Sequence, residues 1–293
     1  MESNKAKYKI ICANLGIGAQ ITQTEFGPHA ILNLMPYERK NAVDIDINDE
    51  CKSLPIGEVR LPPIAAFCTR LEEEIETSLN ENLFPIILGG DHSIAVGTWS
   101  GVVHSLDAYE NFGLIWIDAH LDSNTFETSP SKAYHGMPLA ALLGYGQKGF
   151  ADLLGRSPKL NPKNVVMLGI RRYEEQEHEL LKSLGVKIFY MSDISKTSMD
   201  FVMKQAVEIV TNGTKGFGVS LDLDVIDPKF APGVGSREIG GIDPAAFLDS
   251  ISNLYVDQLK AFEIVEYNPA LDVDNKTAFI AKTIVKKIID NVQ

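Results

Sequence analysis

The sequence has few cysteines, no strongly basic segment and no long apolar run. The three cysteines, Cys12, Cys51 and Cys68, are odd in number and lack CxxC spacing. That argues against a redox or zinc role and for small buried apolar residues in a reducing compartment. No apolar stretch approaches the ~20 residues needed to cross a bilayer. The polar opening, residues 1–9, has no apolar h-region, so no secretory signal is expected and the expected location is the cytoplasm. Lys and Arg number 27 against 39 Asp and Glu, a net charge of −12 with no basic cluster, which argues against nucleic acid or an anionic membrane as partner. Part of the acidic excess is of the kind that bound cations neutralise. Internal repeats and low-complexity linkers are also missing. What is present is 45% hydrophobic and 23% charged residues, the balance of a soluble globular protein with a sizeable core.

Short apolar runs stand at residues 9–13, 43–47, 85–88, 113–117, 165–168, 187–190, 216–223 and 260–265. Most are continuous rather than alternating, the pattern of strands covered on both faces. Amphipathic stretches lie between them. Residues 62–80 open with prolines and then place Ala66, Arg70, Glu73 and Thr77 among apolar positions at helical spacing. Residues 174–184, 200–211, 244–253 and 276–290 read similarly. Asp243-Pro244 is a helix start, an N-cap followed by proline at the first helical position. This alternation predicts an α/β fold: a single three-layer α/β/α domain over residues 1–293 with an eight-stranded, mainly parallel sheet. Such sheets carry their sites beyond the carboxyl ends of the strands.

Three motifs stand at predicted strand ends. Asp118-Ala119-His120-Leu121-Asp122 follows directly on 113–117. In extended backbone alternate side chains share a side, so Asp118, His120 and Asp122 are expected to converge. Three ionisable groups at a buried strand end are costly unless paired or metal-bound; the competing reading is a loop of solvated acids. Ser220-Leu221-Asp222-Leu223-Asp224 puts Asp222 and Asp224 on one face, with Leu221, Leu223 and Val225 on the other. Adjacent carboxylates repel unless a cation intervenes, although Asp227-Pro228 speaks for a simple turn. Leu88-Gly89-Gly90-Asp91-His92-Ser93 leads from a strand into a helical run beginning near Ile94. Its glycines permit close backbone approach, and His92 is expected to project toward the site. A phosphate turn is the rival, but no Walker lysine follows. Taken together, two histidines and four aspartates, with no thiolate, suit two adjacent divalent cations. Manganese is favoured, with iron, cobalt or nickel as other occupants. Such a pair lowers the pKa of a shared water and orients it as a nucleophile.

GGDHS at 89–93, DAHLD at 118–122 and SLDLDVIDP at 220–228, in this order and spacing, resemble the signatures of the ureohydrolase family, the arginases, agmatinases and their relatives. The resemblance runs from about Gly27-Pro28 to the C-terminal helix and implies a single α/β domain with an eight-stranded parallel sheet. It implies that His92, Asp118, Asp122 and Asp222 hold one manganese. His120, Asp118, Asp222 and Asp224 would hold the other, with Asp118 and Asp222 bridging. The segment after the second signature is most similar to arginases. There Asn124, Ser129 and Ser131 fall where those enzymes bind the α-carboxylate, and His135, in His135-Gly136-Met137-Pro138, falls on the proton-shuttling histidine. Glu266 falls on the glutamate that receives the guanidinium. The chemistry agrees: a planar cation wants a carboxylate, and a carboxylate wants hydroxyl and amide donors. The implied reaction is manganese-dependent hydrolysis of L-arginine to L-ornithine and urea. A metal-bridging hydroxide, hydrogen-bonded to Asp122, attacks the guanidinium carbon, and His135 relays a proton. The family also implies a homo-oligomer, a trimer or hexamer.

The chain departs from the arginase pattern at the amino-acid end of the pocket. Arginases usually show an acidic pair after Gly-x-Arg, one member contacting the α-amino group. Here Gly169-Ile170-Arg171 is followed by Arg172, Tyr173 and Glu174, so an arginine replaces one acid and Glu174 falls on the other. Ala133 replaces an asparagine in the carboxylate loop, Ser236 replaces a threonine near the guanidinium, and the glycine-rich segment around residues 18–27 is missing. The rival readings are a ureohydrolase acting on agmatine, a guanidino acid or formiminoglutamate, and a non-catalytic metal-binding member.

Overall fold

The computed structural model describes residues 7–153, 155–254 and 257–292; residues 1–6 of the polar opening lie outside that range. Its strands are β1 (Tyr8–Asn14), β2 (Ala42–Asp46), β3 (Phe84–Gly89), β4 (Gly113–Ile117), β5 (Val165–Ile170), β6 (Lys187–Tyr190), β7 (Phe217–Asp222) and β8 (Leu259–Val265). They form one sheet in the order β2-β1-β3-β8-β7-β4-β5-β6, and every neighbouring pair is parallel. The expected mainly parallel sheet is therefore parallel throughout. Because both faces are covered, successive residues of one strand serve different cores. Leu114 and Trp116 pack on one side of β4, Ile115 and Ile117 on the other.

The helices divide accordingly. Those packed on the Trp116 face are α2 (Leu61–Asn80), α3 (Ala95–Ser105), α4 (Pro138–Leu142) and α5 (Glu175–Leu184). On the Ile117 face lie α1 (Gly27–Asn33), α6 (Met191–Lys196), α7 (Met199–Thr211), α8 (Pro244–Ser250) and α9 (Lys276–Val292). Asp243 caps α8 as expected, its Oδ1 accepting from the Ala245 amide at 2.8 Å. Several boundaries differ from the sequence reading. The run 216–223 stops as a strand at Asp222, and Leu223–Val225 is a 3-10 turn capped by the Asp222 carboxylate. Glu174 stands outside α5 as its N-cap, in a reciprocal capping box with Glu177. The predicted helix 244–253 is α8 followed by a 3-10 turn at Ile251–Leu254.

Candidate metal centre and substrate cleft

β3, β8, β7 and β4 are consecutive in the sheet, with ~4.8 Å between neighbours. Their carboxyl ends carry His92, Glu266, Asp222 and Asp118 respectively, so residues distant in sequence arrive at one place. β3 and β4 are successive in the chain yet separated in the sheet by β8 and β7, a change of winding of the kind where α/β sheets bind ligands. Two groups of ligand atoms result, His92, Asp118, Asp122 and Asp222 in one, and Asp118, His120 and Asp224 in the other. Within each group the atoms lie within 4.8 Å of one another. His92 Nδ1 is 2.9 Å from Asp122 Oδ2, 3.3 Å from Asp222 Oδ2 and 3.4 Å from Asp118 Oδ2. His120 Nδ1 is 2.9 Å from Asp224 Oδ2 and 3.4 Å from Asp118 Oδ1. Asp118 thus offers one oxygen to each group. Asp222 falls in the first group alone. Its Oδ1 accepts the Asp224 amide at 2.8 Å, while Oδ2 turns toward His92, so the expected bridge through it is not part of this geometry.

The side chains do not converge through strand alternation, which corrects the expectation for DAHLD. β4 ends at Ile117, and the chain then curls so that the His120 amide bonds back to Asp118 Oδ1 at 2.7 Å. Asp122 takes a left-handed backbone, φ 46°, and Glu266 does the same, φ 65°. Left-handed backbone in a non-glycine residue costs about 1–3 kcal/mol and persists where the surroundings impose it. Here it aims both carboxylates into the site.

The electrostatics call for a cation. Burial works against the His92 imidazolium, yet Asp118, Asp122 and Asp222 push its pKa well above the ordinary value. Burial and the charges of Asp224 and Asp118 raise Asp222 too, well above the usual carboxylate range. Burial and Asp118 raise Asp122 to about 6. Four carboxylates this close hold their charge at neutral pH only against compensating positive charge. His92 Nδ1, fully buried, faces carboxylate oxygens of Asp122, Asp222 and Asp118 at 2.9, 3.3 and 3.4 Å but makes no aligned hydrogen bond to any of them. A buried ring nitrogen facing three carboxylates without an aligned hydrogen bond fits a metal ligand. The residues thus suit a pair of divalent cations, the set being oxygen-rich and free of thiolate.

Several groups that hold the ligands were not singled out from sequence. Trp116 stacks on His92, ring centroids 4.1 Å apart, and donates Nε1–H to Asp118 Oδ2 at 2.9 Å. His92 Nε2 meets Ser220 Oγ at 2.9 Å, and Ser220 donates to buried Glu263 at 2.7 Å. Asp91, inside the GGDHS motif, accepts the Gly18 amide at 2.8 Å and ties the loop after β1 to the site. Only alternation along β7 could have marked Ser220. The rest depends on which strands are neighbours.

Above the cluster opens a cleft of about 340 Å³, lined by His120, Asp122, Asp222 and Asp224 on its floor and by Asn124, Ser129, Ser131, His135, Glu174, Ser236 and Glu266 around them. His92 and Asp118 lie beneath, fully buried. The six expected ligands and the expected substrate-binding residues therefore lie at or beneath one cleft. Glu266 is fixed by the His92 amide at 2.8 Å and His135 Nδ1 at 3.0 Å. Burial opposes charge on His135, but Glu266 overrides it and pushes the imidazole up to about 9. Asn124 bonds Glu174 at 3.1 Å and accepts from Thr128 at 2.9 Å, while the Ser129 and Ser131 hydroxyls stand 3.3 Å apart. Burial raises Glu177 to about 8; burial acts likewise on Glu174, but hydrogen bonds from Glu177 and Asn124 hold it below the usual range. Arg172, Tyr173, Glu177, Glu238 and Gln20 complete the wall.

Residues 6–290 match the family model described as Arginase family. The arginase of Bacillus caldovelox is 37% identical over 289 residues, spanning 94% of this chain and 95% of its own. A crystal structure of arginase from Bacillus subtilis superposes with a TM-score of 0.88 at 35% identity, over 97% of this chain and 98% of that one. The Entamoeba histolytica arginase in complex with L-ornithine gives 0.87 at 26% identity, over 98% and 99%. No helix of the described residues is long and apolar enough to cross a membrane. With the sheet, the paired ligand groups and these relatives in agreement, the chain belongs to the arginase family and is a hydrolase of the ureohydrolase type.

Proposed function

We propose that the protein hydrolyses L-arginine to L-ornithine and urea with two manganese ions, which His92, Asp118, His120, Asp122, Asp222 and Asp224 would hold. The observation that carries this reading is one cleft with a ligand cluster on its floor, Glu266 beside it, and Asn124, Ser129 and Ser131 on the wall. When bound, the metal pair supplies a water of lowered pKa as nucleophile. The chain's own residues do the rest. Glu266 receives the planar guanidinium, exchanging its bond to His135 for charge-assisted bonds to substrate. Asp122 accepts the proton of the attacking water and delivers it to the departing amine. His135, at the cleft wall with 22% of its side chain exposed, passes a proton between the site and bulk water. Asn124, Ser129 and Ser131 hold the α-carboxylate, Glu174 faces the α-amino group, and Ser236 packs near the guanidinium. Ligand-bound relatives support the amino-acid end, since the Entamoeba histolytica arginase was solved with L-ornithine.

Arg172 at the same cleft favours a second reading, a guanidino acid whose anionic tail it pairs. One experiment separates the two. Manganese-loaded protein is incubated with arginine, agmatine and ω-guanidino acids, and urea and the amine product are assayed. Urea and ornithine from arginine are expected, with turnover abolished in Asp122→Asn. Turnover of a guanidino acid or agmatine with none of arginine would replace the substrate and keep the chemistry. Cobalt, iron and nickel in parallel test the metal. The same family relationship supports one domain over residues 1–293, a cytoplasmic location and a homo-oligomer, trimer or hexamer, which sedimentation would test.

A further inference from the structure

We propose that Glu238 positions the metal-binding histidine His120, as a carboxylate that accepts a hydrogen bond from its outward nitrogen. The inference rests on the two-metal reading of the cluster. Both histidines turn Nδ1 inward to the carboxylates, which leaves each Nε2 as an N–H donor once Nδ1 is ligated. A metal-bound histidine generally donates that N–H in a hydrogen bond to a carboxylate, carbonyl or water, and the acceptor fixes the ring and raises its basicity. For His92 the acceptor is Ser220, backed by Glu263. For His120 the group facing Nε2 is Glu238 Oε1, at 3.9 Å. That separation is an ion-pair distance, longer than a hydrogen bond. The Glu238 side chain is 32% exposed, so a change of side-chain rotamer rather than of backbone is what a hydrogen bond to His120 would require.

The loop around Glu238 is built to hold it there. Arg171 Nη2 donates to the Glu238 carbonyl at 2.8 Å and to the Asp224 carbonyl at 2.7 Å, tying this loop to a metal-ligand residue. Two residues on, the Gly240 amide bonds Asp227 Oδ2 at 2.9 Å. The neighbouring Arg237 guanidinium turns away, to the carbonyls of Pro232 and Leu271 at 2.8 and 2.9 Å. Arg172, which stands where the arginase pattern carries an acid, has donors only and cannot serve His120.

The test compares wild-type protein with Glu238→Ala and Glu238→Gln. Manganese affinity is measured for each site by competition with a chelating dye, the coupled pair is followed by electron paramagnetic resonance, and kcat and KM are taken at saturating manganese. In Glu238→Ala one of the two manganese sites is expected to weaken by about 10–100-fold, the other to stay as it was, and KM to stay near wild type. Glu238→Gln keeps an acceptor oxygen and is expected to recover most of the affinity. Two unaltered manganese affinities in Glu238→Ala would overturn the proposal alone, all the more if the loss falls on KM, which would place Glu238 against substrate. Wild-type protein that binds fewer than two manganese ions would overturn the two-metal reading and this proposal with it.

Discussion

Glu266 shows how much a single side chain is asked to do. Its backbone is left-handed, its carboxylate takes the His92 amide, and its charge holds His135 protonated. Glu266→Gln keeps the shape and an acceptor but removes the charge a guanidinium needs. A hydrogen bond to a charged group contributes about 1.5–3 kcal/mol, so kcat/KM is expected to fall by roughly 10–100-fold with the fold intact. Circular dichroism and steady-state kinetics decide it; unchanged kcat/KM would remove Glu266 from guanidinium binding. The same pair makes a pH prediction for chelator-treated protein. His135 is raised from 6.5 to about 9, so the protonated form is the one the fold stabilises. That contribution is fully present below the unfolded value and is lost as pH rises through about 9. Wild type should therefore exceed His135→Gln in denaturant midpoint by most near pH 6 and by least near pH 10. A gap that does not change with pH would mean that the ion pair adds nothing.

Elements rather than residues decide how the loops meet, and the GGDHS turn is the clearest case. Gly90 passes so close to the loop after β1 that a Cβ built on it would lie 1.7 Å from the Leu15 carbonyl oxygen. Its amide bonds the Ala13 carbonyl at 2.9 Å, and its own carbonyl takes the Glu266 amide at 2.8 Å. Backbone oxygen cannot swing aside as a side chain can. Gly90→Ala is thus expected to lower the melting temperature and displace both His92 and Glu266, weakening manganese binding, as calorimetry and metal titration would show; wild-type values for both would refute the close approach. This closeness was legible in the two glycines. The strands were legible too, because buried parallel strands are continuous apolar runs. The short helices 27–33, 138–142 and 191–196 were not, since two turns or fewer do not display a 3.6-residue period. The motif residues could be named, but their convergence does not follow from strand alternation, because the chain leaves extended geometry after Ile117 and after Asp222. Glu263 and Glu238 were out of reach for a different reason. Their roles depend on β8, β7 and β4 being neighbours, which no local pattern reports.

At the scale of the molecule, the net charge of −12 and the four aspartates of the cluster set the terms on which metal acts. Those aspartates come from two strand ends, and His92 from a third, so repulsion among them acts across the centre of the sheet rather than on one loop. Ions that bind the native cluster and not the unfolded chain stabilise the fold by mass action, about 2.7 kcal/mol per site at a hundredfold excess over Kd. For a domain of this length that corresponds to a shift of several degrees in Tm. Chelation is therefore expected to lower Tm, and manganese to restore it. Magnesium, which keeps its waters and prefers an all-oxygen octahedron, should restore less. Asp118→Asn supplies the control, because Asp118 offers an oxygen to both ligand groups and its loss should abolish the response to manganese. Ligation requires neutral imidazole and ionised carboxylates, so the manganese-dependent part of Tm should shrink as pH falls. A melting temperature indifferent to chelator, manganese and pH alike would mean that the cluster holds no metal and that the carboxylates are balanced by protons alone.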